Sequence, residues 1–397
     1  MPEQYDSKVH RTRIMSIISI GLFIEFMAIL SLIPMLPAVS EDLNVAKPFM
    51  GVIMGSFMVF MAIPQIPIGM LSDKYGRRPF IIIGILTFSI GLLIFGLAKS
   101  AEQLLIARSL SGLGVAMFLP TAYAIGGDIY SIRERGKGIG FISMAIGLGT
   151  VGGYILGGVV GGLFGWRTVF LSMFWASLLV AIGSLWVNET RPKSLDTDFG
   201  ILKIAKSTLL MFWDRTLVLT GLVSMLCSLA VIGASFTLPF FAAGTVSSVQ
   251  MGLIFVPYAI TSSLGASVTG SISDSVGRKT PLITMIILGG AALLLLTFDT
   301  MSPIIISINF GFVGLCLGPV VTLSTAILSD QVVKKDPRIL GTSIGVLNMV
   351  RWLGGASGPV VAGTIMEFAD ARTSFMTLGI LVLFATFIAF FLRETLE

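Results

Sequence analysis

A single acidic residue, Glu25, lies deep within an apolar stretch of this sequence. It follows the start of the first stretch, residues 14–37, by about eleven positions, which corresponds to roughly 16 Å of helix. An ionisable group at such a depth costs about 2.5–3.5 kcal/mol to insert into a membrane and usually has a function. Surroundings of low polarity favour the neutral, protonated form of a carboxyl group. Glu25 is therefore predicted to bind and release a proton, or alternatively to form a permanent structural ion pair.

Two arginines also lie inside apolar stretches. Arg108 is near the predicted outer end of the fourth stretch, so its side chain could point into the protein or reach the outer surface. Arg351 is near the middle of the eleventh, with Asn348 on the same helical face. Arg351 could bind an anionic substrate, balance Glu25, or tie two helices together. The predicted substrate cavity consists of Glu25, Arg108, Asn309, Asn348 and Arg351, with Asn309 opposite Arg108 in the internal repeat described below.

The chain that carries these residues cannot be an ordinary soluble protein. Its 397 residues are 55 % hydrophobic and 12 % charged, whereas soluble domains carry about 25 % charged residues. Twelve apolar stretches are long enough for membrane helices, which need about 20 residues each. Cys227 and Cys316 lie inside such stretches and predict no disulfide. No cofactor, metal site or nucleic-acid partner is expected, since the basic residues lie in short loops and His10 is the one histidine.

The basic residues predict the orientation, because cytoplasmic loops are enriched in Lys and Arg. With a cytoplasmic N-terminus, the outer loops hold Lys47, Lys99, Arg167 and Arg372, and the other basic residues outside the stretches lie on the inner side. An even number of spans then places both termini in the cytoplasm. We expect a multi-pass protein of the inner or plasma membrane.

The two halves of the chain repeat one another. The segment GMLSDKYGRR at residues 69–78 corresponds to GSISDSVGRK at residues 270–279, 201 positions later. Asp128 corresponds to Asp330, and the glycine-rich run that begins at Gly153 corresponds to the run that begins at Gly358. Duplicated halves of equal topology are typical of one class of transporter, with the substrate site between the halves. The expected domains are residues 1–187, a cytoplasmic linker at 188–215, and residues 216–397.

These motifs resemble those of the major facilitator superfamily over essentially the whole chain. The segment at 69–78 is similar to the signature between helices 2 and 3 of that superfamily. Residues 105–114 resemble the helix 4 motif of its 12-helix drug:proton antiporters, and residues 149–158 resemble their helix 5 motif, with Tyr154 in place of a proline. The resemblance implies an all-α membrane protein of 12 transmembrane helices in two pseudo-symmetric six-helix bundles. It also implies that Arg108 faces the interior and acts with Glu25 in proton coupling.

The repeated loop segment is predicted to form a conformational latch on the cytoplasmic side. The resemblance implies that Asp73 accepts bonds from the start of helix 11, near residues 339–341, where the helix dipole favours an anion. Arg77 could pair with Asp128, and Gly69 would let another helix approach closely. Alternatively, the basic residues only set the topology. The predicted latch residues are Gly69, Asp73, Gly76, Arg77 and Asp128, with Gly270, Asp274, Gly277, Arg278 and Asp330 in the second half.

Glycines in helices 5 and 11 are predicted to allow close helix packing and bending. Pro359 frees a backbone carbonyl and weakens its helix locally. The residues of this packing motif are Gly149, Gly153, Gly157, Gly158, Gly358 and Pro359.

The leading hypothesis is a secondary active transporter that exports a small lipophilic or amphipathic compound in exchange for protons by alternating access. The first alternative is a transporter of a specific anionic or amphipathic metabolite, with Arg351 as the substrate ligand. A receptor or a lipid-modifying protein is the non-transporting alternative, and the sequence contains no nucleotide-binding loop or nucleophile motif that would indicate an enzyme. The expected partners are a small-molecule substrate, protons and membrane lipid, and the chain is expected to act as a monomer.

Overall fold

The computed structural model describes residues 8–130, 134–190, 214–298, 302–335 and 340–395. This part of the chain contains twelve α-helices, and the predicted all-α fold with twelve long helices is confirmed. A short 3-10 turn, Leu296–Phe298, follows the ninth helix. The helices are α1 (Lys8–Asp42), α2 (Lys47–Tyr75), α3 (Arg77–Leu97), α4 (Ala101–Ile129), α5 (Arg135–Phe164), α6 (Trp166–Ser184), α7 (Arg215–Ala242), α8 (Ser248–Val276), α9 (Lys279–Leu295), α10 (Pro303–Lys335), α11 (Leu340–Phe368) and α12 (Ala371–Phe390).

Eleven of these twelve helices are long and apolar enough to cross a membrane. The exception is α11, which carries Asn348 and Arg351 together with many glycines, serines and threonines. Polar groups inside a membrane are stable where protein or water surrounds them. The composition of α11 therefore indicates a helix shielded from lipid. The eleven apolar helices indicate that the chain is a multi-pass membrane protein.

Polar side chains begin several helices by binding backbone N–H groups that have no partner inside the helix. Ser247 and Gln250 form a reciprocal capping box at the start of α8. The Asp214 carboxylate accepts from the N–H groups of Thr216 and Leu217 at the start of α7. Asp370 caps α12 in the same way. The short loops thus define the helix ends although most of the helices are apolar along their length.

The chain folds into two compact units. Unit 1 comprises Met1–Leu32 and Val59–Asp198, and unit 2 comprises Ile33–Met58 and Phe199–Glu397. The division therefore passes through α1 and α2. Residues 191–213 of the predicted linker lie outside the described residues, and the division of the sequence into domains at that linker stays a prediction.

In unit 1, α3 packs against α4 and α6, and α5 packs against α4 and α6. A hydrogen bond of 2.7 Å between the Ser89 and Ser177 hydroxyls joins α3 to α6 inside the core. A buried apolar cluster that includes Ile18, Leu22 and Phe118 connects α1 to α4. These contacts place the polar part of α1 against a well-packed scaffold.

In unit 2, α8 packs against α10, and α7 packs against α11 and α12. A hydrogen bond of 2.9 Å between Thr237 and Ser374 joins α7 to α12, as the serine pair joins α3 to α6 in unit 1. Hydroxyl pairs of this kind satisfy polar groups that hydrocarbon cannot solvate. Each unit therefore has a buried hydroxyl pair, but the two pairs join different helices of the repeat.

Candidate functional site

Glu25 is fully buried on α1, with 0 % of its surface exposed. The neighbouring Leu22 and Ala28 are apolar and equally buried. Neither carboxyl oxygen of Glu25 has a hydrogen-bond partner among the described residues. Because an unpaired charge in an apolar interior is strongly destabilised, this conformation suits the protonated, neutral carboxyl.

Arg108 lies inside unit 1 on α4. Its side chain is 2 % exposed, and Ala107, Ser111 and Gly112 beside it on the helix are also buried. The sequence left open whether Arg108 reaches the outer surface, and the structure places it in the interior. Its role in proton coupling stays a prediction.

Arg77 is the centre of a hydrogen-bonded group in unit 1, the Arg77 network, which comprises Ser72, Asp73, Arg77, Asp128, Glu189 and Thr190. The guanidinium of Arg77, which is 6 % exposed, donates from Nε to Asp128 Oδ2 at 3.2 Å. Its Nη1 donates to Ser72 Oγ at 2.9 Å and to the Asp73 carboxylate. The network therefore joins the end of α2 to the end of α4.

Unit 2 contains an equivalent group around Arg278, the Arg278 network, which comprises Ser273, Asp274, Arg278, Asp330, Glu394 and Thr395. Arg278 donates from Nε to Asp330 at 2.8 Å and from Nη1 to Ser273 at 3.1 Å and Asp274 at 2.7 Å. The hydrogen bond to Asp330 raises the pKa of Arg278 above its ordinary value. The guanidinium therefore stays charged over the whole physiological pH range.

Sequence reasoning missed two glutamates that complete these networks. Glu189 accepts from the backbone N–H groups of Arg77 at 2.8 Å and Arg78 at 3.2 Å, at the start of α3. Glu394 binds the start of α9 in the same way, through Arg278 N at 2.8 Å and Lys279 N at 3.0 Å. A carboxylate at a helix N-terminus is stabilised by both the N–H groups and the helix dipole.

A signal for these glutamates was present in the sequence. A Glu-Thr dipeptide occurs at residues 189–190 and again at 394–395, 205 positions later. The threonines follow the repeat as well: Thr395 Oγ1 donates to Asp330 at 2.9 Å and Thr190 Oγ1 to Asp128 at 3.5 Å. The offset matches that of the glycine-rich runs, so a systematic search of the repeat would have found the pair.

The glycines of the loop segment have different roles. Gly76 and Gly277 have φ of 104° and 90°, and a Cβ on Gly277 would lie 2.6 Å from Glu394 Oε2. Gly69 has no neighbour within 4 Å of a built Cβ, and Gly270 has only Thr322 at 3.9 Å, among the described residues. The close helix approach predicted at Gly69 is therefore not seen in this part of the chain in this conformation.

The predicted partner of Asp73 is only partly described. Ile339 lies outside the described residues, and α11 begins at Leu340. Within the described part of the chain, the Asp73 carboxylate accepts a hydrogen bond from Arg77, the first residue of α3. The function of the two networks as a conformational latch stays a prediction.

Glycines of α5 form a ladder against α1. The glycines and their partners both recur every four residues, so one face of each helix approaches the other over two turns. Gly158 is buried on the same helix. A Cβ on Gly149 or Gly153 would lie 2.5 Å from a carbonyl oxygen of α1, and the three pairs are Gly149 with Phe23, Gly153 with Met27 and Gly157 with Ser31.

In unit 2, α11 carries a corresponding ladder and a second close contact. Gly354 and Gly358 lie against the carbonyls of Met225 and Leu229 on α7. The second close contact of α11 is with the first half of α2. There, a Cβ on Gly51 would overlap the backbone carbonyl of Pro359. The prediction did not include the α2 glycine, because only a tertiary contact reveals it.

Arg351 stands beside aromatic side chains in unit 2. Its guanidinium carbon lies 4.4 Å from the centroid of the Trp352 ring, and its Nε has no hydrogen-bond partner among the described residues. Tyr258 on α8 has its ring centroid 5.0 Å from that of Phe310, with the two rings tilted by 34°. The predicted cavity residues Asn309 and Asn348 are half-buried on α10 and α11.

Comparison with known proteins identifies the family. The sequence pattern described as "Major Facilitator Superfamily" matches residues 18–246 and 220–397, which together cover most of the chain. The chain belongs to the Major Facilitator Superfamily. Its predicted fold class is thereby confirmed, and the family indicates a transporter rather than an enzyme.

Several relatives within the superfamily are multidrug proteins. Multidrug resistance protein 2 of Bacillus subtilis is 31 % identical over 167 residues, which are 42 % of this chain and 42 % of that protein. The match therefore spans less than half of that relative. Multidrug resistance protein Stp of Mycobacterium tuberculosis is 23 % identical, with coverage of 90 % of this chain and 76 % of the relative.

Solved transporters of the superfamily have the same fold. An inward-facing bacterial homologue of the human lysosomal transporter Spinster superimposes with a TM-score of 0.81, 18 % identity and 97 % coverage of both chains. The inward-open xylose transporter XylE of E. coli superimposes with a TM-score of 0.78 and 16 % identity, again with 97 % coverage of both chains. At these identities, the likeness establishes the fold alone.

Proposed function

We propose that this member of the superfamily exports a small lipophilic or amphipathic compound in exchange for protons, by alternating access. Glu25 is the proton carrier, and Arg108 acts with it from inside the same unit. The two termini are cytoplasmic. The names of the multidrug relatives support the substrate class.

The burial of Glu25 without a partner among the described residues is the observation that carries this proposal. Its 0 % exposure and its unpartnered oxygens suit the neutral carboxyl in the present conformation. A conformation that admits water or a cationic substrate would instead stabilise the carboxylate. One residue would then alternate between two protonation states as access alternates, which is what exchange of substrate for proton requires.

A second candidate function rests on Arg351. Its Nε, which lacks a partner among the described residues, and the Trp352 ring form a cationic, aromatic surface. A guanidinium binds carboxylates and sulfonates through paired hydrogen bonds. Under this alternative, the transported compound is an amphipathic anion and Arg351 is its ligand.

Transport into liposomes with an imposed pH gradient tests both candidates. We expect uptake of a lipophilic cationic dye by the wild-type protein, driven by the proton gradient. Glu25→Gln, which fixes a neutral side chain of nearly equal volume, should abolish accumulation against a gradient and remove the pH dependence of dye binding. Since protons compete with the cation in the wild type, its dye binding should strengthen as the pH rises.

The matched control is Glu41→Gln, because Glu41 is an exposed glutamate near the other end of the same helix. It should transport like the wild type. Pumping by Glu25→Gln with a wild-type pH profile would show that Glu25 is not the proton carrier. Uptake of an aromatic sulfonate that is lost in Arg351→Gln would favour the second candidate.

A further inference from the structure

A cavity of about 240 Å³ lies at the end of unit 2 where α7 begins and α12 ends. Arg215 is the first residue of α7, and Arg393 follows α12. Thr216 and Gln331 contribute polar groups to the wall, and Phe391 contributes an apolar one. This is the end that the distribution of basic residues predicts to be cytoplasmic.

Both arginines of the cavity have no ion-pair or hydrogen-bond partner within the described parts of the chain. Arg278 at the same end of the unit differs, since it binds Asp274 and Asp330. Two like charges on one cavity repel each other. An anion between Arg215 and Arg393 would relieve that repulsion.

Hydrogen bonds of neighbouring residues fix the backbone beside both arginines. Asp214 caps α7 through Thr216 N at 2.9 Å, which fixes the turn that carries Arg215. Arg393 lies between Leu392, which is 3 % exposed, and Glu394, which binds Arg278 N. A binding site whose charged groups are already positioned costs less to order when its ligand arrives.

The polar wall offers donors rather than acceptors. The Thr216 hydroxyl donates to Gln331 Oε1, so the Gln331 amide nitrogen remains available as a donor. Together with two guanidinium groups, this favours a ligand that only accepts hydrogen bonds. A phosphate group is such a ligand, and arginine binds it through two parallel bonds.

An apolar surface continues from the cavity along the spans. Val218 and Leu222 of α7 are 37 % and 39 % exposed, and Phe387 of α12 and its C-cap residue Phe391 are 59 % and 49 % exposed. Their spacing places each pair on one face of its helix, and α7 and α12 pack together. This surface suits acyl chains attached to the phosphate.

The internal repeat supplies a comparison within the same molecule. Arg393 precedes the second Glu-Thr pair and therefore corresponds to Asn188, which precedes the first. Gln331 follows Asp330 and therefore corresponds to Ile129, which follows Asp128. Only Arg215 has a charged counterpart, Arg13. The paired arginines are therefore a feature of the second half and not of the shared framework.

We propose that this cavity binds the phosphate of an anionic phospholipid from the adjoining membrane leaflet, with the acyl chains along α7 and α12. Arg215 and Arg393 bind the phosphate oxygens, and Gln331 donates a further hydrogen bond. Basic pockets between membrane helices on the cytoplasmic side are suited to anionic headgroups. A free phosphate would leave the apolar surface unused. The site does not depend on Glu25 or on the proposed exchange of substrate for protons.

The test measures binding of phosphatidylglycerol to the purified full chain by native mass spectrometry, with phosphatidylcholine as the neutral lipid. We expect Arg215→Gln and Arg393→Gln each to weaken phosphatidylglycerol binding about fivefold and the double variant about 30-fold, from the usual contribution of one basic residue near an anionic lipid. Binding of phosphatidylcholine should not change. Arg13→Gln is the matched control and should bind phosphatidylglycerol like the wild type.

Two outcomes would overturn the proposal. The first is that both single variants bind phosphatidylglycerol as strongly as the wild type. This result would contradict the proposal even if the double variant does not fold. The second is displacement of the lipid by millimolar inorganic phosphate, which would indicate a site for a free anion.

Discussion

At the scale of single residues, the charges of this protein include two kinds with different surroundings. Those at the helix ends, such as Arg77 and Arg278, have two carboxylate partners each. Glu25 inside a span has no partner for either oxygen among the described residues. Partnered charges at the membrane surface stabilise a conformation, whereas a lone buried carboxyl is sensitive to any change in its surroundings. The difference motivates the separate roles proposed for them.

Replacement of Glu189 tests its role as the cap of α3. Glu189→Ala removes the acceptor for two backbone N–H groups, and we expect a loss of about 1 kcal/mol of stability, the usual effect of a lost helix cap. Glu189→Gln should lose less, because an amide oxygen still accepts one bond. Thermal unfolding of the purified protein measures both, and Glu41→Ala, at an exposed position, serves as the control. Equal melting of Glu189→Ala and the wild type would contradict the capping role.

The two glycines of the loop segment should respond differently to alanine. Gly76 has a φ of 104°, which strains any residue with a Cβ by about 1–3 kcal/mol, and the Cβ would also overlap the Glu189 carboxylate. Gly76→Ala should therefore lower the melting temperature clearly. Gly69→Ala should leave it unchanged, since no described atom lies within 4 Å of its Cβ position. If Gly69→Ala melts normally but slows transport, the close approach predicted at Gly69 occurs in another conformation.

At the scale of helices, glycine spacing decides which helices approach closely. The α5 glycines recur every four residues and place carbonyls of α1 where side chains would otherwise lie. The α11 glycines repeat this arrangement on α7. Close backbone approach strengthens van der Waals packing, which drives helix association in lipid, where hydrophobic burial gives little. The α5 ladder packs closely on the part of α1 that carries Glu25.

Alanine substitutions on one helix test the ladder. In Gly153→Ala the new methyl would lie 2.5 Å from Met27 O, so α1 and α5 must move apart, at a cost of about 1–3 kcal/mol. Gly147→Ala on the same helix meets no described atom within 4 Å and should melt like the wild type or slightly higher, because alanine favours helix. Equal melting temperatures for the two variants would show that the α1–α5 contact is not tight.

At the scale of the whole molecule, the duplication organises both the sequence and the contacts. The Arg77 and Arg278 networks use the same residue types at the same positions of the two halves. The cavity at Arg215 and Arg393 lies in unit 2, and the counterparts of Arg393 and Gln331 in the first half are Asn188 and Ile129. A shared framework and a diverged surface thus occur side by side in one repeat.

The predicted orientation is a property of the whole molecule and can be measured directly. In a background with Cys227 and Cys316 replaced by serine, Lys99→Cys should react with an impermeant maleimide added to intact cells. Lys137→Cys should react only after the membrane is opened, because cytoplasmic loops carry the excess of basic residues. Both positions are exposed in the structure, so access depends on the side of the membrane alone. The reverse pattern would invert the predicted topology.

The sequence by itself determined the features that depend on local composition. Apolar length specified the helices, the offset of about 200 residues showed the duplication, and the charge inside apolar runs marked Glu25, Arg108 and Arg351. Helix formation and the solvation of apolar residues by lipid depend on short segments of sequence. Each membrane helix can therefore be predicted from its own segment. The predicted pair of Arg77 and Asp128 followed from the recurrence of the same residues in the second half.

The tertiary structure alone decided which groups meet. It placed Arg108 in the interior, left Glu25 without a partner among the described residues, and brought Glu189 to the start of α3, 112 residues away in the chain. It also brought Arg215 and Arg393 to one cavity from opposite ends of the second half. Contacts over such separations depend on how whole helices pack, and many packings are compatible with the same apolar pattern. The physical reason is that helix formation is local, whereas the pairing of buried charges depends on the arrangement of all the helices around them.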